Sequence, residues 1–116
     1  MNIYFACSIT GGREFESVYQ AIVGALTENG HEVPTAHLAE SGVGAAEAVI
    51  HPNEVYERDA AWIRACDVLV AEVSVPSHGV GYEIGFALGN LAISWLCALY
   101  VIREPALRVW ADVRAR

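Results

Sequence analysis

The stretch that decides the fold is Asp67–Gly85, which reads DVLVAEVSVPSHGVGYEIG. Its first part, Asp67–Val73, is a nearly continuous apolar run without polar–apolar alternation. Such a run is typical of a strand that is covered on both faces, as in parallel sheets. Ser74–Gly79 predicts a loop, and the spacing of Ile84, Ala87 and Leu88 predicts a helix over Val80–Ala92. A buried strand that leads through a glycine-containing loop into a helix is the repeating unit of α/β proteins.

The same alternation continues on both sides of this unit. Towards the N-terminus we predict a strand over Asn2–Cys7, a helix over Glu14–Asn29 and a second strand over His31–His37, which Pro34 makes an edge strand or a strained one. A glycine-rich loop over Leu38–His51 and a helix over Val55–Cys66 follow. Towards the C-terminus we predict a strand over Trp95–Ile102, and a weak helical spacing follows in Arg103–Arg116. The pattern predicts a Rossmann-like or flavodoxin-like three-layer α/β sandwich with a mostly parallel sheet of four to five strands.

Composition limits the possible functions of this chain. Its 116 residues are 54% hydrophobic, which favours one folded domain over a disordered chain. The net charge of −7 argues against a nucleic acid polymer as partner. All seven basic residues are arginine, which excludes a P-loop lysine and Schiff-base chemistry. The apolar runs are too short for a membrane span, and the three scattered cysteines are typical of reduced thiols, so we expect a cytoplasmic protein without a metal or cofactor.

Three loops are candidate ligand sites, because ligands of parallel α/β sheets bind beyond the carboxyl ends of the strands. They are Ser8–Arg13, Leu38–His51 and Ser74–Gly79. Ser8–Arg13 joins the first strand to the first helix, and its Gly11-Gly12 pair lets backbone approach a ligand. Ser74–Gly79 leads into the helix that carries Glu83 and places Ser77 and Gly79 at its N-terminus, a position that suits an anion such as phosphate. Ser8–Arg13 and Ser74–Gly79 could also be ordinary strand-to-helix turns, and Glu83 could merely complement the helix dipole.

Asp59 is the most informative single residue. It shares a helix face with Val55 and Ile63, where an aspartate is partly buried and needs a partner. Arg58 lies off that face and is expected to be solvated, as are Glu54 and Glu57. Asp59 is therefore either half of a buried ion pair with an arginine or a carboxylate aimed into a site. Together with Glu83 it would form a carboxylate pair of the kind that serves glycosyl transfer.

Three motifs in this order resemble the 2′-deoxynucleoside 5′-phosphate N-hydrolases of the nucleoside 2-deoxyribosyltransferase superfamily. They are Tyr4–Arg13 (YFACSITGGR), Glu57–Trp62 (ERDAAW) and Asp67–Gly85. The resemblance runs from about Ile3 to Tyr100. It implies hydrolysis of the N-glycosidic bond of deoxynucleoside monophosphates by a homodimer.

The resemblance also implies roles for individual residues. Glu83 matches a nucleophile that forms a glycosyl-enzyme intermediate, Asp59 matches a carboxylate that assists proton transfer and positions substrate, and Tyr4 matches a tyrosine beside them. Ser77 and Gly79 match phosphate binders. The loop that shapes the sugar and base pocket is matched by Ser8, Ile9, Gly11, Gly12 and Arg13.

The end of the chain departs from that family pattern. No serine follows Ser94, although family members contribute a later serine to the phosphate site of the partner subunit. We therefore expect one domain over residues 1–116 whose end, from about residue 103, is atypical or truncated. Two alternatives stay open: a nucleoside 2-deoxyribosyltransferase, and a catalytically weak nucleotide-binding module.

Overall fold

A computed structural model of the chain describes residues 1–90, 93–103 and 106–114. Its strands are β1 (Ile3–Ala6), β2 (Val68–Glu72), β3 (Trp95–Arg103) and β4 (Ala106–Arg114). They form one sheet in the order β1-β2-β3-β4, in which β1, β2 and β3 are parallel and β4 is antiparallel to β3. The helices are α1 (Glu16–Glu28), α2 (Val43–Ala48), α3 (Pro52–Ala65) and α4 (His78–Gly89), with a 3-10 helix at Ala36–Ala39.

Helices cover both faces of the sheet, so the predicted α/β fold with a mostly parallel sheet is confirmed. On one face Leu69 and Ala71 of β2 pack with buried residues of α3 and α4, among them Ile63 and Val80. On the other face Val70 packs with a cluster from α1, the 3-10 helix and α2. The uninterrupted apolar run of β2 follows from this arrangement, because both faces of the strand are buried.

The predicted second strand, His31–His37, is wrong. Glu32 forms a single parallel bridge to Asn2, and the chain then turns into the 3-10 helix. Beside β1, the backbone N–H of Phe5 donates 2.8 Å to the hydroxyl of the buried Thr35. A side chain thus takes the acceptor position of a strand carbonyl, and the sheet of the described residues has no fifth strand beside β1.

The weak helical pattern predicted for Arg103–Arg116 is also wrong over the described residues. Ala106–Arg114 forms β4 and pairs with β3 in antiparallel register, for example Leu99 with Val109. Pairing gives hydrogen-bond partners to the backbone N–H and C=O groups that β3 would otherwise expose at the sheet edge. This stabilisation outweighs the weak helical preference of the apolar spacing in this segment. Residues 115 and 116 lie outside the described residues, as do residues 91 and 92 at the end of the predicted fourth helix.

The other predicted helices lie close to their expected places. α1 and α3 fall within two to three residues of the predicted bounds, and the glycine-rich loop Leu38–His51 contains α2. Within the described ranges, no helix is long and apolar enough to cross a membrane.

Candidate active site

Two of the three predicted ligand loops, those after β1 and β2, meet above the carboxyl ends of these strands. A Cβ at Gly11 would lie 2.9 Å from the carbonyl oxygen of Pro76 and 2.9 Å from the hydroxyl of Ser8. Only a glycine fits at that distance, so Gly11 allows the loop after β1 to touch the loop after β2. Gly12 has φ +135°, which disfavours any side chain there.

Helices α3 and α4 bring the two predicted carboxylates together. Asp59 and Glu83 line one small cavity of about 70 Å³, whose walls include Tyr56 and Tyr82. The hydroxyls of these tyrosines lie 3.1 Å apart. The two carboxyl groups thus reach one cavity from two helices, and their predicted catalytic role stays a prediction.

Glu83 titrates far from its ordinary range. Burial raises the pKa of Glu83 to about 8, and the negative charge of Asp59 adds to the increase. An interaction with the Tyr4 hydroxyl opposes the increase and lowers the pKa of Glu83. A carboxyl group with such a pKa exchanges its proton near neutral pH, which is the property that acid–base chemistry requires. As a nucleophile it would first have to lose that proton.

Tyr4 is fully buried on β1 and belongs to the cluster under α3 and α4. Its hydroxyl has no partner at regular hydrogen-bond geometry among the described residues, yet it interacts electrostatically with Glu83 and Asp59. Burial, followed by the charges of these two carboxylates, raises the pKa of Tyr4 far above its usual value. Tyr4 therefore stays protonated and can donate to Glu83.

Asp59 forms the ion pair with an arginine that was one of its two predicted roles, and its role in a site stays a prediction. Its side chain is partly buried, and its Oδ1 accepts a hydrogen bond of 2.9 Å from Nε of Arg58. Burial raises the pKa of Asp59, while the hydrogen bond and the charge of Arg58 oppose the increase. The aspartate is thus half of an ion pair and also faces the cavity beside Glu83.

The expectation that Arg58 is solvated is wrong. Its side chain is only 24% exposed, and its terminal nitrogens donate to both carboxylate oxygens of Glu47 at 3.1 and 2.9 Å. Its guanidinium also lies over the ring of Trp62 at 4.9 Å. The sequence signal was present, since a cation directly precedes the buried aspartate, but helical facing alone places the two side chains apart.

Ser77 begins α4 as its N-cap. Its hydroxyl accepts a hydrogen bond of 3.3 Å from the N–H of Val80. A Cβ at Gly79 would lie 3.8 Å from that hydroxyl, which leaves the first turn open. Ser77 also lines a largely apolar cavity of about 450 Å³ between α4, the loop after β2, and Tyr100 and Val101 of β3. Neither Asp59 nor Glu83 lines this larger cavity, since both line the smaller one.

The guanidinium of Arg13 donates its hydrogen bonds to other groups of the chain. Its Nε donates to Glu16, one terminal nitrogen donates to the carbonyls of Ser8 and Leu38, and the other donates to the carbonyl of Glu40, all between 2.9 and 3.1 Å. The guanidinium also covers the ring of Tyr19. A contact of Arg13 with substrate would require some of these bonds to open, and its predicted binding role stays a prediction.

The remaining loop residues lie at the same edge of the sheet. Ser8 is buried, and its hydroxyl has no hydrogen-bond partner among the described residues. Ile9 is partly buried against the α1 side of the core, and its Cγ2 lies 3.9 Å from the position of a Cβ on Gly44 of α2. Across the described residues, no group of three or more histidine, cysteine, aspartate or glutamate side chains could hold a metal ion.

Comparison with known proteins identifies the family. The model of the nucleoside 2-deoxyribosyltransferase family matches residues 3–101. The chain belongs to this family. It is 40% identical over 88 residues to a Methanococcoides burtonii protein provisionally named 2′-deoxynucleoside 5′-phosphate N-hydrolase 1, a match that covers 76% of this chain and 72% of that protein.

The chain is also 45% identical over 89 residues to the 5-hydroxymethyl-dUMP N-hydrolase of Mus musculus, covering 75% of this chain but only 51% of the mouse enzyme. The chain thus spans about half the length of that relative. The structure of the CMP N-glycosidase BcmB of Clostridium botulinum has the same fold, with a TM-score of 0.59 at 22% identity over 88% of this chain and 71% of that one.

Proposed function

We propose that this member of the nucleoside 2-deoxyribosyltransferase family hydrolyses the N-glycosidic bond of 2′-deoxynucleoside 5′-monophosphates. The products are the free base and 2-deoxyribose 5-phosphate. The observation that carries the proposal is the pair formed by Asp59 and Glu83 around one cavity, beside the helix N-terminus that holds Ser77 and Gly79. The names of the relatives, which are N-hydrolases of deoxynucleoside monophosphates, support the same substrate class.

Glu83 is the proposed nucleophile. Once ionised, its carboxylate attacks C1′ of the sugar while the bond from C1′ to the base nitrogen breaks. The electron pair of that bond leaves with the base, which takes up a proton. Water then attacks C1′ of the glycosyl–Glu83 ester and gives a proton to the site, which restores the Glu83 carboxylate. A 2-deoxy sugar lacks the electron-withdrawing 2′-hydroxyl, so the oxocarbenium-like transition state forms more readily.

Asp59 and Tyr4 are proposed to assist Glu83. Asp59 relays the proton between base, water and site, and its charge stabilises the cationic character that develops at the sugar. Tyr4 stays protonated and orients the Glu83 carboxylate through its hydroxyl. The electrostatic interactions among these three groups support this division of roles, because each shifts the pKa of another.

The phosphate is proposed to bind at the N-terminus of α4. Free backbone N–H groups of a first helical turn favour an anion, and Gly79 leaves room for one. Ser77 would contribute its hydroxyl as a donor while it still caps the helix. The sugar and base would lie against the loop after β1, where Ser8, Ile9, Gly11, Gly12 and Arg13 form the proposed pocket wall.

We further propose that the chain acts in the cytoplasm as a homodimer. The free thiols of Cys7, Cys66 and Cys97 are typical of a reducing compartment. The dimer rests on the family resemblance of the sequence and is tested by light scattering.

A deoxyribosyltransferase is the second candidate, because the family model itself carries that name. Glu83→Ala tests the shared nucleophile, and Glu57→Ala on the exposed side of α3 is the matched control. Loss of base release in Glu83→Ala but not in Glu57→Ala supports the assignment. If the native chain transfers deoxyribose to an added second base faster than to water, the transferase is correct, and normal turnover by Glu83→Ala rules out the nucleophile.

A further inference from the structure

A network of four side chains from three segments extends outward from Asp59 through Arg58. Glu47 of α2 accepts two hydrogen bonds from Arg58 of α3, and its Oε1 also lies 3.2 Å from Nε2 of His37 on the 3-10 helix. The rings of His37 and Trp62 meet edge to face at 5.9 Å between centroids. The guanidinium of Arg58 is therefore held at its edge by Glu47 and on its face by Trp62.

Held in this way, the guanidinium of Arg58 has a fixed orientation. Its Nε points at Oδ1 of Asp59, at 2.9 Å. The side chains of Glu47, Asp59 and Arg58 are 12%, 17% and 24% exposed, so these ionic hydrogen bonds lie in a partly desolvated region where they are strong. A fork of two bonds fixes the orientation of a planar guanidinium in a way that one bond cannot.

We propose that Arg58 is a positioning residue for the active site and that Glu47 acts through it: Glu47 orients Arg58, and Arg58 holds the Asp59 carboxylate in its place beside Glu83. The inference rests on the proposed role of Asp59. It assigns α2 a function, since the segment that precedes α3 becomes the outer support of a catalytic carboxylate.

Glu47→Gln is expected to change the pKa of Asp59 in the direction opposite to the one that the lost charge alone would give. The charged and titratable groups that act on Asp59 are Arg58 on its own helix, Glu47 and His37 from the preceding segment, Glu83 of α4 and Tyr4 of β1. The hydrogen bond from Arg58 lowers the pKa of Asp59 by more than the charge of Glu47 raises it. Loss of the Glu47 charge alone would therefore lower the pKa of Asp59, whereas release of Arg58 from Asp59 would raise it.

The first test does not depend on turnover. The carboxyl ¹³C signal of Asp59 is titrated by NMR in the native protein, in Glu47→Gln and in Arg58→Gln. We expect the pKa of Asp59 to rise in both variants. An unchanged or lower pKa in Glu47→Gln overturns the inference, because Glu47 would then act as a charge and not as a support for Arg58. Arg64→Gln, which removes an exposed arginine from the same helix, is the control.

The second test is kinetic. In Arg58→Gln we expect kcat to fall roughly 10- to 100-fold while KM for a deoxynucleoside monophosphate changes little, because the reacting groups are misplaced and the phosphate site is intact. The double variant Glu47→Gln/Arg58→Gln should have the kcat of Arg58→Gln alone. Multiplicative effects, or a change in KM without a change in kcat, overturn the inference. If Asp59→Asn keeps native turnover, the proposed catalytic role of Asp59 is wrong. If Asp59→Asn loses turnover but a folded Arg58→Gln keeps it, only the inference about Arg58 is overturned.

Discussion

Asp59 and Glu83 line the same cavity of about 70 Å³, and the charge of Asp59 helps to raise the pKa of Glu83 to about 8. Two carboxyl groups that share a partly desolvated cavity do not both ionise readily at neutral pH, because the negative charge of one raises the pKa of the other. The pair therefore retains a proton near pH 7. This relationship determines how activity and stability depend on pH.

The activity of the native chain is expected to rise with pH. Because the proposed attack needs the Glu83 carboxylate, kcat/KM should increase about tenfold per pH unit below pH 8 and level off above it. Asp59→Asn removes the neighbouring negative charge, so the pKa of Glu83 falls and the midpoint of the rise moves to lower pH, although kcat itself drops. Initial rates of base release across the pH range measure both midpoints.

The difference between the pH profiles of the native chain and Asp59→Asn does not depend on the titration of the substrate. The phosphate of the substrate ionises near pH 6, but it contributes equally to both profiles. A midpoint that stays in place in Asp59→Asn would show that Asp59 does not control the proton of Glu83.

Stability should change with pH in the opposite direction. The pKa of Glu83 in the folded chain, about 8, lies above its ordinary value of 4.5. The folded state thus binds more protons than the unfolded state between these values, so this group costs stability progressively as pH rises from 4.5 to 8. Glu83→Gln removes the cost. Its Tm should exceed that of the native chain by several degrees at pH 8 and by little at pH 5, and an equal difference at both pH values would exclude a raised pKa.

Gly11→Ala should damage both stability and activity. The added Cβ would lie 2.9 Å from the backbone oxygen of Pro76, which cannot move away without shifting the loop that carries Ser77. We expect a loss of about 1–3 kcal/mol of stability and a higher KM. Gly24→Ala is the matched control, because Gly24 lies within α1 and a Cβ there meets no atom within 4 Å. That variant should be as stable as the native chain or more stable, by up to about 1 kcal/mol. Urea unfolding of both variants decides the point.

Arg13→Gln separates two roles for Arg13. Because its guanidinium joins the carbonyls of Ser8, Leu38 and Glu40, we expect the substitution to lower Tm clearly. If Tm is unchanged and only KM for the nucleotide rises, Arg13 contacts substrate directly and its bonds to the protein are incidental. Thermal unfolding and initial rates on the same preparations supply both quantities.

Much of the fold was predictable because the spacing of apolar residues along a strand or helix indicates which side chains are buried. The apolar run of Asp67–Val73 gave β2, and the spacing around Asp59 predicted that this aspartate is partly buried. The loops after β1 and β2 were also predictable, since parallel topology places them at one edge.

The errors arose where long-range contacts decide the structure. Thr35 replaces a strand partner of Phe5 with its side chain, and no local pattern indicates that. β4 forms because β3 offers it an edge, which outweighs the local spacing. The burial of Arg58 was not predictable for a related reason, since helical spacing locates only its Cβ. Its long side chain reaches across the helix surface to Glu47 and Asp59.

The most direct measurement is the product analysis of each of the four deoxynucleoside monophosphates after incubation with the native chain. Free base and 2-deoxyribose 5-phosphate are quantified separately in the same samples. The account predicts that at least one nucleotide yields both products in equal amounts and that the base preference appears in the same experiment. Nucleotides that bind saturably but are recovered intact would contradict it and would identify the chain as a nucleotide-binding module.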